Sequence, residues 1–400
     1  MYKWYCRIYQ FIFRLVMYAL PWREPKLIRG AGALSSLPEQ LVNDQLERVL
    51  IVTDKGIRSL GYADKLNELL KTKHIQGIIY DNTVPNPTIH NIEEAVKLYS
   101  KHSCQAIIAI GGGSPIDCAK AVGARIARPN KTIPQLKGQL KIKKKLPPLY
   151  AVPTTAGTGS EATVAAVISN SETLEKYAIN DLSLIPYAAI LDPELTLKLP
   201  PHITSTTGMD ALTHAVEAFI GGSTTRQTRE QSKEAVRLIF TYLEEAYVNG
   251  YNIEAREKMM QAAYLAGLAF TRSYVGNIHA IAHTLGGFYG VPHGLANSVI
   301  MPYVLKFYGS TVYQSLAELA DAAGIVNKED NIQVKAEKFI AAIEQMNARM
   351  NIPTKICEIQ EKDIPTMVKR ALSEANPLYP VPKIMNAEDM TSIYKQLIEQ

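Results

Sequence analysis

This chain has few cysteines and only a small excess of positive over negative charge. Its 400 residues include four cysteines, which are scattered along the sequence and form no Cys-x-x-Cys pair. This scarcity excludes a disulfide-rich scaffold and indicates a reducing compartment, so we expect a cytoplasmic protein. Lysine and arginine outnumber aspartate and glutamate by 43 to 38, which gives a net charge of +5. So small an excess over this length gives no reason to expect nucleic acid as a partner.

The N-terminal extension, residues 1–24, lacks the features of a signal peptide and of a membrane-spanning helix. Arg14 interrupts its apolar run, which falls short of the ~20 residues that a span needs, and no A-x-A cleavage site follows. On a helical wheel its polar residues form one stripe on an otherwise aromatic and aliphatic helix: Lys3, Arg7, Gln10 and Arg14. Three interpretations stay open: packing on its own domain or on a partner subunit, contact of residues 1–20 with a membrane surface, and a processed leader.

The rest of the chain has the composition of a folded protein, with 47% hydrophobic and 20% charged residues. At about 100–200 residues per domain, its length predicts two domains, or three. Short apolar runs at 48–54, 76–81 and 105–110 predict buried strands, and helical patterns at 58–71 and 89–101 separate them. This alternation predicts an α/β domain with a parallel, doubly wound sheet, whose ligand crevice lies at the carboxyl ends of the strands.

The pattern changes near residue 200, where strand signals fade. Long helical periodicity follows at 225–247, 254–271 and 329–350, which predicts an all-α second half. The predicted organisation is an extension over 1–24, an α/β domain over 25–200 and a helical domain over 201–400.

Two loops rich in glycine and hydroxyl side chains indicate a nucleotide site. Residues 111–120, GGGSPIDCAK, lie between a strand and a helix, where glycine lets a phosphate approach the backbone and the helix N-terminus attracts it. Alone, this loop fits a plain tight turn equally well. Residues 151–163, AVPTTAGTGSEAT, form a second such loop after the next strand. Two loops on neighbouring strand ends favour a dinucleotide site.

Asp54 ends the apolar run at 48–54, the first predicted strand. An acidic residue there can bind the adenosine ribose and repel a 2′-phosphate, which favours NAD over NADP. The alternative is that Asp54 caps the following helix.

A carboxylate and several imidazoles recur at helical spacing in the second half. Asp210 and His214 are four residues apart and share one helix face, His279 and His283 repeat that spacing, and His293 follows in Val-Pro-His-Gly. One carboxylate with three imidazoles suits Fe²⁺ or Zn²⁺ with an open coordination position. The spacing therefore predicts a metal site.

Four segments together resemble the iron-containing (group III) alcohol dehydrogenases: GGGSPID, PTTAGTGSE, GMDALTHAVE and HAIAHTLG followed by PHG. The resemblance runs from about residue 25 to the C-terminus and leaves the N-terminal extension outside it. It implies an α/β N-terminal Rossmann-like domain with a parallel sheet, plus an all-α C-terminal domain, in the dehydroquinate synthase-like architecture. It also implies a homodimer.

The resemblance implies roles for individual residues of this sequence. The metal ligands would be Asp210, His214, His279 and His293, with His283 as a nearby active-site histidine that does not ligate. The pyrophosphate loop would use Gly112, Gly113, Ser114 and Asp117. The second nucleotide loop would use Thr154, Thr155, Thr158 and Ser160. Asp54 matches the position that disfavours a 2′-phosphate, and Lys176 matches a lysine that lies along the cofactor.

The expected activity is reversible hydride transfer between a primary alcohol or diol and NAD, which gives an aldehyde. Fe²⁺, or alternatively Zn²⁺, would act as the Lewis acid, and His283 would relay the hydroxyl proton. Two alternatives stay open. One is a hydroxyacid–oxoacid transhydrogenation or another reaction of a hydroxy substrate on the same fold. The other, from a different class, is a binding or scaffold protein at a membrane surface.

Overall fold

The computed structural model describes residues 2–171 and 175–398, and the chain divides into two compact units. One unit runs from Trp22 to Lys198, and the other joins the N-terminal segment to the chain from Leu199 onward. The strands all lie in the first unit: β1 Lys26–Arg29, β2 Arg48–Val52, β3 Gln76–Tyr80, β4 Ala106–Gly111, β5 Gly138–Gln139, β6 Leu149–Pro153, β7 Ala165–Asn170, β8 Glu175–Asn180 and β9 Ala188–Leu191.

The main sheet of this unit has six parallel strands in the order β1-β9-β6-β4-β2-β3. The helices of this unit are α2 Leu37–Asn43, α3 Lys55–Ser59, α4 Tyr62–Lys71, α5 Ile89–Lys101, α6 Gly113–Ala127 and α7 Ile133–Leu136. Short 3₁₀ helices lie at Ala33–Ser36, Ser160–Ala162, Leu182–Leu184 and Pro193–Thr196. The predicted α/β class with a parallel sheet is confirmed.

Both faces of the main sheet are covered, which explains the uninterrupted apolar runs in its strands. In β2, Leu50 and Val52 pack in one core cluster, whereas Val49 and Ile51 pack in the cluster on the opposite face. Every residue of β4 is buried. Strands buried on both faces read as continuous apolar segments because alternate side chains enter two different cores.

The order of the strands places a switch point between β2 and β4. From β2 the chain passes outward to β3 at the edge, then returns to β4 on the other side of β2. Ligands of doubly wound sheets bind outside the carboxyl ends of the strands at such a point. Asp54 follows β2 there, and the glycine loop follows β4.

Two details differ from the sequence predictions. The helix predicted over 58–71 is two helices, α3 and α4, because Gly61 between them adopts φ 80°, a left-handed conformation that ends a helix. A second sheet of three strands, β5-β8-β7, includes an antiparallel pair, β7 with β8, that the sequence patterns did not predict.

The second unit is helical, as predicted for the C-terminal half. Its helices are α1 Tyr2–Ala19, α8 Pro201–Ile220, α9 Arg226–Val248, α10 Ile253–Ser273, α11 Asn277–Tyr289, α12 His293–Tyr308, α13 Tyr313–Ala323, α14 Ile332–Arg349, α15 Ile364–Ala375 and α16 Ala387–Leu397. Short 3₁₀ helices lie at Gly309–Thr311 and Glu361–Asp363. None of the helices in the described ranges combines the length and apolar character that a membrane span requires.

The N-terminal helix α1 packs on its own unit through a mixed side, on which Cys6, Gln10 and Met17 are buried and Tyr9 and Phe13 are half-buried. The other members of the polar stripe, Lys3, Arg7 and Arg14, are exposed at the edge of that side. Gln10 is buried, and the Arg7 guanidinium bonds to backbone carbonyls of the C-terminal segment. The opposite side of the helix, which we call the apolar face of α1, is exposed: Tyr2, Trp4, Tyr5, Ile8, Phe11, Ile12, Leu15, Val16 and Tyr18. The helix therefore leaves much of its apolar surface exposed, unlike an ordinary amphipathic surface helix, whose apolar side faces the core.

Candidate active site

Three helices bring the predicted metal ligands together. Asp210 and His214 lie on α8, His279 lies on α11, and His293 is the first residue of α12. The donor atoms of these four residues all lie within 4.8 Å of one another. A cation that holds each ligand at ~2.0–2.2 Å would draw such a set together only slightly.

Asn297 provides evidence that this cluster suits a cation. Its Nδ2 lies 2.7 Å from Oδ1 of Asp210. The same nitrogen lies 3.1 Å from Nε2 of His279 and 3.2 Å from Nε2 of His293. An amide has two N–H donors and cannot satisfy three acceptors at once. The cluster is therefore rich in lone pairs, and one carboxylate with three imidazoles is a donor set that Fe²⁺ and Zn²⁺ both accept.

Glu217 orients His279 and shapes the start of its helix. Its Oε2 lies 2.6 Å from Nδ1 of His279, so that the imidazole Nε2 is left to face the cluster. The same carboxylate accepts hydrogen bonds from the backbone N–H groups of Gly276 at 2.7 Å and Ile278 at 2.8 Å. A Cβ on Gly276 would stand 2.6 Å from Oε1 of Glu217, so any larger residue there would displace this carboxylate.

His283 lies beside the cluster and has a carboxylate partner of its own. Its ring stacks on that of His293 with centroids 5.1 Å apart. Nδ1 of His283 lies 2.6 Å from Oε1 of Glu374, and the Tyr379 hydroxyl donates to the same oxygen at 2.7 Å. Burial alone would raise the pKa of Glu374, but the His283 ring and the Tyr379 hydroxyl outweigh it and hold that pKa below its usual value. An ionised Glu374 places the proton of neutral His283 on Nδ1 and leaves Nε2 as an acceptor.

The two predicted nucleotide loops lie side by side in the α/β unit, because β4 and β6 are neighbours in the sheet. The backbone N–H of Thr154 donates to the Gly111 carbonyl at 2.9 Å. A Cβ on Gly113 would stand 3.0 Å from Cγ2 of Thr158, and one on Gly112 would stand 3.5 Å from the Thr155 side chain. The glycines therefore allow the loops to approach each other at the N-terminus of α6.

Asp117 joins the two loops through its side chain. It accepts hydrogen bonds from the Ser160 hydroxyl at 2.6 Å and from the backbone N–H of Val167 at 3.0 Å. Burial raises the pKa of Asp117 even though the Lys120 ammonium lies nearby. Both partners of Asp117 belong to the protein, so its carboxylate holds the second loop in place.

Two buried charged residues, Lys120 and Glu161, lie at the second nucleotide loop. The Lys120 ammonium donates to the Thr163 carbonyl at 2.9 Å, to the Thr163 hydroxyl at 2.8 Å and to the Ala165 carbonyl at 2.8 Å. Burial lowers the pKa of Lys120 to about 8 and raises that of Glu161 to about 7. Neither residue was among the site residues predicted from the sequence.

The remaining cofactor candidates border the same loops. Ser114 accepts a hydrogen bond from the backbone N–H of Asn86 at 3.2 Å, and the Lys176 ammonium donates to the Asn86 side chain at 2.8 Å. The hydroxyl of Thr154 is buried and has no protein partner among the described residues, which leaves one polar atom in the loop for a ligand. A nucleotide with phosphate and hydroxyl oxygens fits this set of donors.

Asp54 caps α3. Its Oδ1 accepts a hydrogen bond from the backbone N–H of Ile57 at 2.9 Å, which is the capping role that the sequence analysis gave as the alternative. A cap occupies one carboxylate oxygen, and the residue is only half-buried at the end of β2. Capping and ribose binding are therefore compatible roles.

Sequence reasoning missed Glu217, Asn297 and Glu374. The first two carry a helical signal, since Glu217 lies three residues after His214 and Asn297 lies four residues after His293. Glu374 carries no such signal, because 91 residues separate it from His283.

Known proteins resemble this chain over most of its length. The family model of iron-containing alcohol dehydrogenases matches residues 24–193, and the model of the C-terminal region of the Fe-containing alcohol dehydrogenase family matches residues 204–398. The 1,3-propanediol dehydrogenase of Klebsiella pneumoniae is 36% identical over 371 residues, which cover 92% of this chain and 95% of that protein. A crystal structure of 1,3-propanediol oxidoreductase has a TM-score of 0.91 at 35% identity and covers 94% of this chain and 99% of its own. Sulfoacetaldehyde reductase from Bifidobacterium kashiwanohense in complex with NAD⁺ has a TM-score of 0.84 at 28% identity, with 94% and 98% covered.

Proposed function

The chain belongs to the iron-containing alcohol dehydrogenase family, and we propose on that premise how its residues carry out reversible hydride transfer between a primary alcohol or diol and NAD. The observation that supports this most is the convergence of one carboxylate and three imidazoles beside a fourth histidine, His283, which is paired with Glu374. The comparisons favour neither a transhydrogenase nor a scaffold protein.

The helical domain would hold the metal through the four clustered ligands, and the α/β domain would bind NAD through its two loops. The bound Fe²⁺, or alternatively Zn²⁺, would supply Lewis-acid activation of an alcohol oxygen, and NAD would supply the hydride acceptor. Glu217 would keep Nε2 of His279 facing the ion. Asp54 would favour NAD by repelling a 2′-phosphate.

His283 would accept the proton that leaves the substrate hydroxyl. Its Nδ1 is committed to Glu374, so Nε2 is the basic atom available to a substrate. The Glu374 carboxylate would stabilise the imidazolium that forms, as a buried acid does for a catalytic histidine. Lys176 would lie along the cofactor, held by Asn86.

The test is NADH formation by the Fe²⁺-loaded protein under anaerobic conditions, with a series of primary alcohols and diols. Because a relative is named for 1,3-propanediol, diols lead that series. We expect turnover that chelator abolishes and Fe²⁺ restores. His279→Ala should lose both the metal and the activity, whereas His202→Ala, at an exposed histidine of α8, should keep both. Turnover without added NAD would indicate a transhydrogenase instead, and retained metal without NAD binding would indicate a binding protein.

We further propose that the apolar face of α1 contacts a lipid surface from the cytoplasmic side. Its side chains are far from buried: Trp4 is 71% exposed, Phe11 61%, Leu15 56% and Tyr18 76%. Trp and Tyr are the residues that favour the membrane interface, and aliphatic side chains lie between them along the helix. The helix contains no acidic residue that an anionic lipid surface would repel.

Co-sedimentation with phosphatidylserine-containing vesicles tests this contact. We expect wild-type protein to pellet and the Trp4→Ser/Phe11→Ser/Leu15→Ser variant to remain in the supernatant. Val248→Ser/Tyr251→Ser is the matched control, because these side chains are 80% and 77% exposed elsewhere on the helical unit. Equal pelleting of wild type and triple variant would refute the lipid contact.

The homodimer remains a proposal from the family resemblance, and the mass of the protein in lipid-free buffer tests it. If the triple variant is monomeric where wild type is dimeric, the apolar face of α1 is an interface between copies of the chain, and the lipid contact is wrong.

A further inference from the structure

Two residues of the polar stripe of α1, Arg7 and Gln10, bond to one short stretch of backbone, residues 379–382. The Gln10 side-chain amide donates to the Tyr379 carbonyl at 2.7 Å. The Arg7 guanidinium donates to the Val381 carbonyl and to the Pro382 carbonyl, both at 2.7 Å, and to the Gln10 amide oxygen at 2.9 Å. Two side chains of α1 thus donate to three of the four carbonyls of a segment that has no helix or strand of its own.

This segment needs those donors because much of it is buried. Val381 is 1% exposed and Tyr379 9%, and the segment lies between the end of α15 and the start of α16. Its other backbone bonds within the described ranges are three: the Tyr379 N–H donates to the Ala375 carbonyl at 2.7 Å, the Val381 N–H to the Tyr379 carbonyl at 2.8 Å, and the Gly222 N–H to the Pro380 carbonyl at 2.7 Å. Buried carbonyls without partners cost free energy, so the donor that Arg7 provides for Val381 and the second donor that Gln10 provides for Tyr379 help to fix where this segment lies.

The side chain of Tyr379 connects the segment 379–382 to the active site. Its hydroxyl donates to Oε1 of Glu374, the same oxygen that lies 2.6 Å from Nδ1 of His283. Gln10 is therefore connected to His283 by hydrogen bonds at the two ends of Tyr379, its backbone carbonyl and its hydroxyl, and by Glu374.

Aromatic packing connects the same elements a second time. Phe13 of α1 meets the edge of Tyr274 with ring centroids 5.4 Å apart, and Tyr274 lies 6.5 Å from Tyr379. Tyr274 follows α10 directly and precedes the loop that leads into α11, which carries His279 and His283. The helix α1 is thus packed against both segments that frame His283.

We propose that α1 is a positioning element of the active site, which holds Tyr379 and Glu374 in register with His283 through Arg7 and Gln10. This inference rests on the proposed role of His283 in proton transfer. The residues of α1 lie outside the ranges that the family models match, 24–193 and 204–398. The N-terminal extension would therefore help to position His283, the proposed proton-transfer group, whereas the metal ligands lie on α8, α11 and α12.

The first test compares Arg7→Met/Gln10→Leu with Arg14→Met. Both remove polarity from the same stripe, but the Arg14 bond goes to the Gly222 carbonyl at 3.3 Å and not to residues 379–382. Positioned acid–base groups contribute ~10²–10⁴-fold to rate, so we expect kcat of the double variant to fall by about 10-fold, with KM for NAD changed by less than about 2-fold. Arg14→Met should stay within about 2-fold of wild type by the same reasoning. Arg7→Lys with Gln10 intact, which can still donate to one carbonyl, should recover most of the loss.

A double-mutant cycle separates positioning from general destabilisation. In a His283→Gln background, Arg7→Met/Gln10→Leu should change kcat by less than about 2-fold, because the group that it positions is gone. Amide hydrogen exchange in residues 379–382 should accelerate in the double variant and not in Arg14→Met. Equal losses of kcat in both backgrounds, or unchanged exchange in 379–382, would overturn the proposal.

The outcomes also distinguish this proposal from the proposed function. If His283→Gln itself retains full alcohol turnover, the role of His283 is wrong. If His283→Gln loses turnover but Arg7→Met/Gln10→Leu does not, the proposed function stands and the positioning role of α1 is wrong.

Discussion

Glu217 Oε2 lies 2.6 Å from Nδ1 of His279, and both side chains are almost fully buried. The pair joins α8 to α11, the two helices that carry Asp210, His214 and His279. Because the same carboxylate also accepts two backbone N–H groups at the start of α11, one side chain sets both the position of the helix and the orientation of its metal-facing ring.

Replacing Glu217 should therefore weaken metal binding without removing a ligand. Loss of a carboxylate behind a ligating histidine typically costs about 10–100-fold in metal affinity, and we expect a loss of that size for Glu217→Gln. Chelator competition measures it directly. Glu344→Gln, at an exposed ion pair with Lys306, is the control and should bind metal as wild type does. Unchanged affinity in Glu217→Gln would contradict this role.

The contact between Gly113 and Thr158 predicts a rescue experiment. A Cβ at residue 113 would stand 3.0 Å from Cγ2 of Thr158, so Gly113→Ala should push the two nucleotide loops apart. We expect NAD affinity to fall by about 10-fold, which corresponds to ~1.4 kcal/mol. Adding Thr158→Ser removes Cγ2 and keeps the hydroxyl, so the double variant should recover most of the affinity in a fluorescence titration. Equal affinities of the single and double variants would refute the steric explanation.

Because Asp54 has two proposed roles, capping α3 and binding the ribose, its substitutions should affect stability and cofactor preference separately. Asp54→Ser keeps a capping oxygen for the Ile57 N–H but removes the charge, so use of NADP relative to NAD should rise while thermal stability is unchanged. Asp54→Ala removes both, and we expect a further loss of about 1 kcal/mol in the free energy of unfolding. Kinetics with both cofactors and thermal melts provide the two readouts. A cofactor preference that is unaffected by Asp54→Ser would leave only the capping role.

Glu161 predicts a pH dependence of stability. Burial raises its pKa from 4.5 to about 7 in the folded chain, so the folded state binds more protons than the unfolded state between those values. The contribution of Glu161 to stability is therefore fully present below pH 4.5 and declines as pH rises through 7, by up to ~3 kcal/mol. Glu161→Gln does not titrate, so its stability relative to wild type should improve from pH 5 to pH 7 in urea unfolding. A constant difference between the two proteins would show that Glu161 does not titrate in this window.

Much of the site follows from spacing within single elements. Helical spacing singled out Asp210 with His214 and His279 with His283, and His293 follows in the next turn. The family resemblance then implied which four of these five residues bind the metal. It predicted two nucleotide loops because glycine and hydroxyl residues after buried strands have a local physical meaning. The parallel sheet was predicted for the same reason, since its apolar runs alternate with amphipathic helices.

Relations between distant segments could not be predicted this way. The pairing of His283 with Glu374 joins residues 91 positions apart, and no periodicity in the sequence connects them. The second sheet also pairs β5 with β8, whose paired residues Gly138 and Ile179 lie far apart in the sequence.

The N-terminal helix shows most clearly what each level decides. The sequence alone determined that residues 2–19 form a helix with one polar stripe, because helix geometry places those residues on one side. Only the tertiary structure decided which side of the helix faces inward: Cys6, Gln10 and Met17 are buried, and Arg7 and Gln10 bond to carbonyls of residues 379–382. Contacts with other segments, which include these hydrogen bonds and the packing of Phe13 on Tyr274, thus set the orientation of α1.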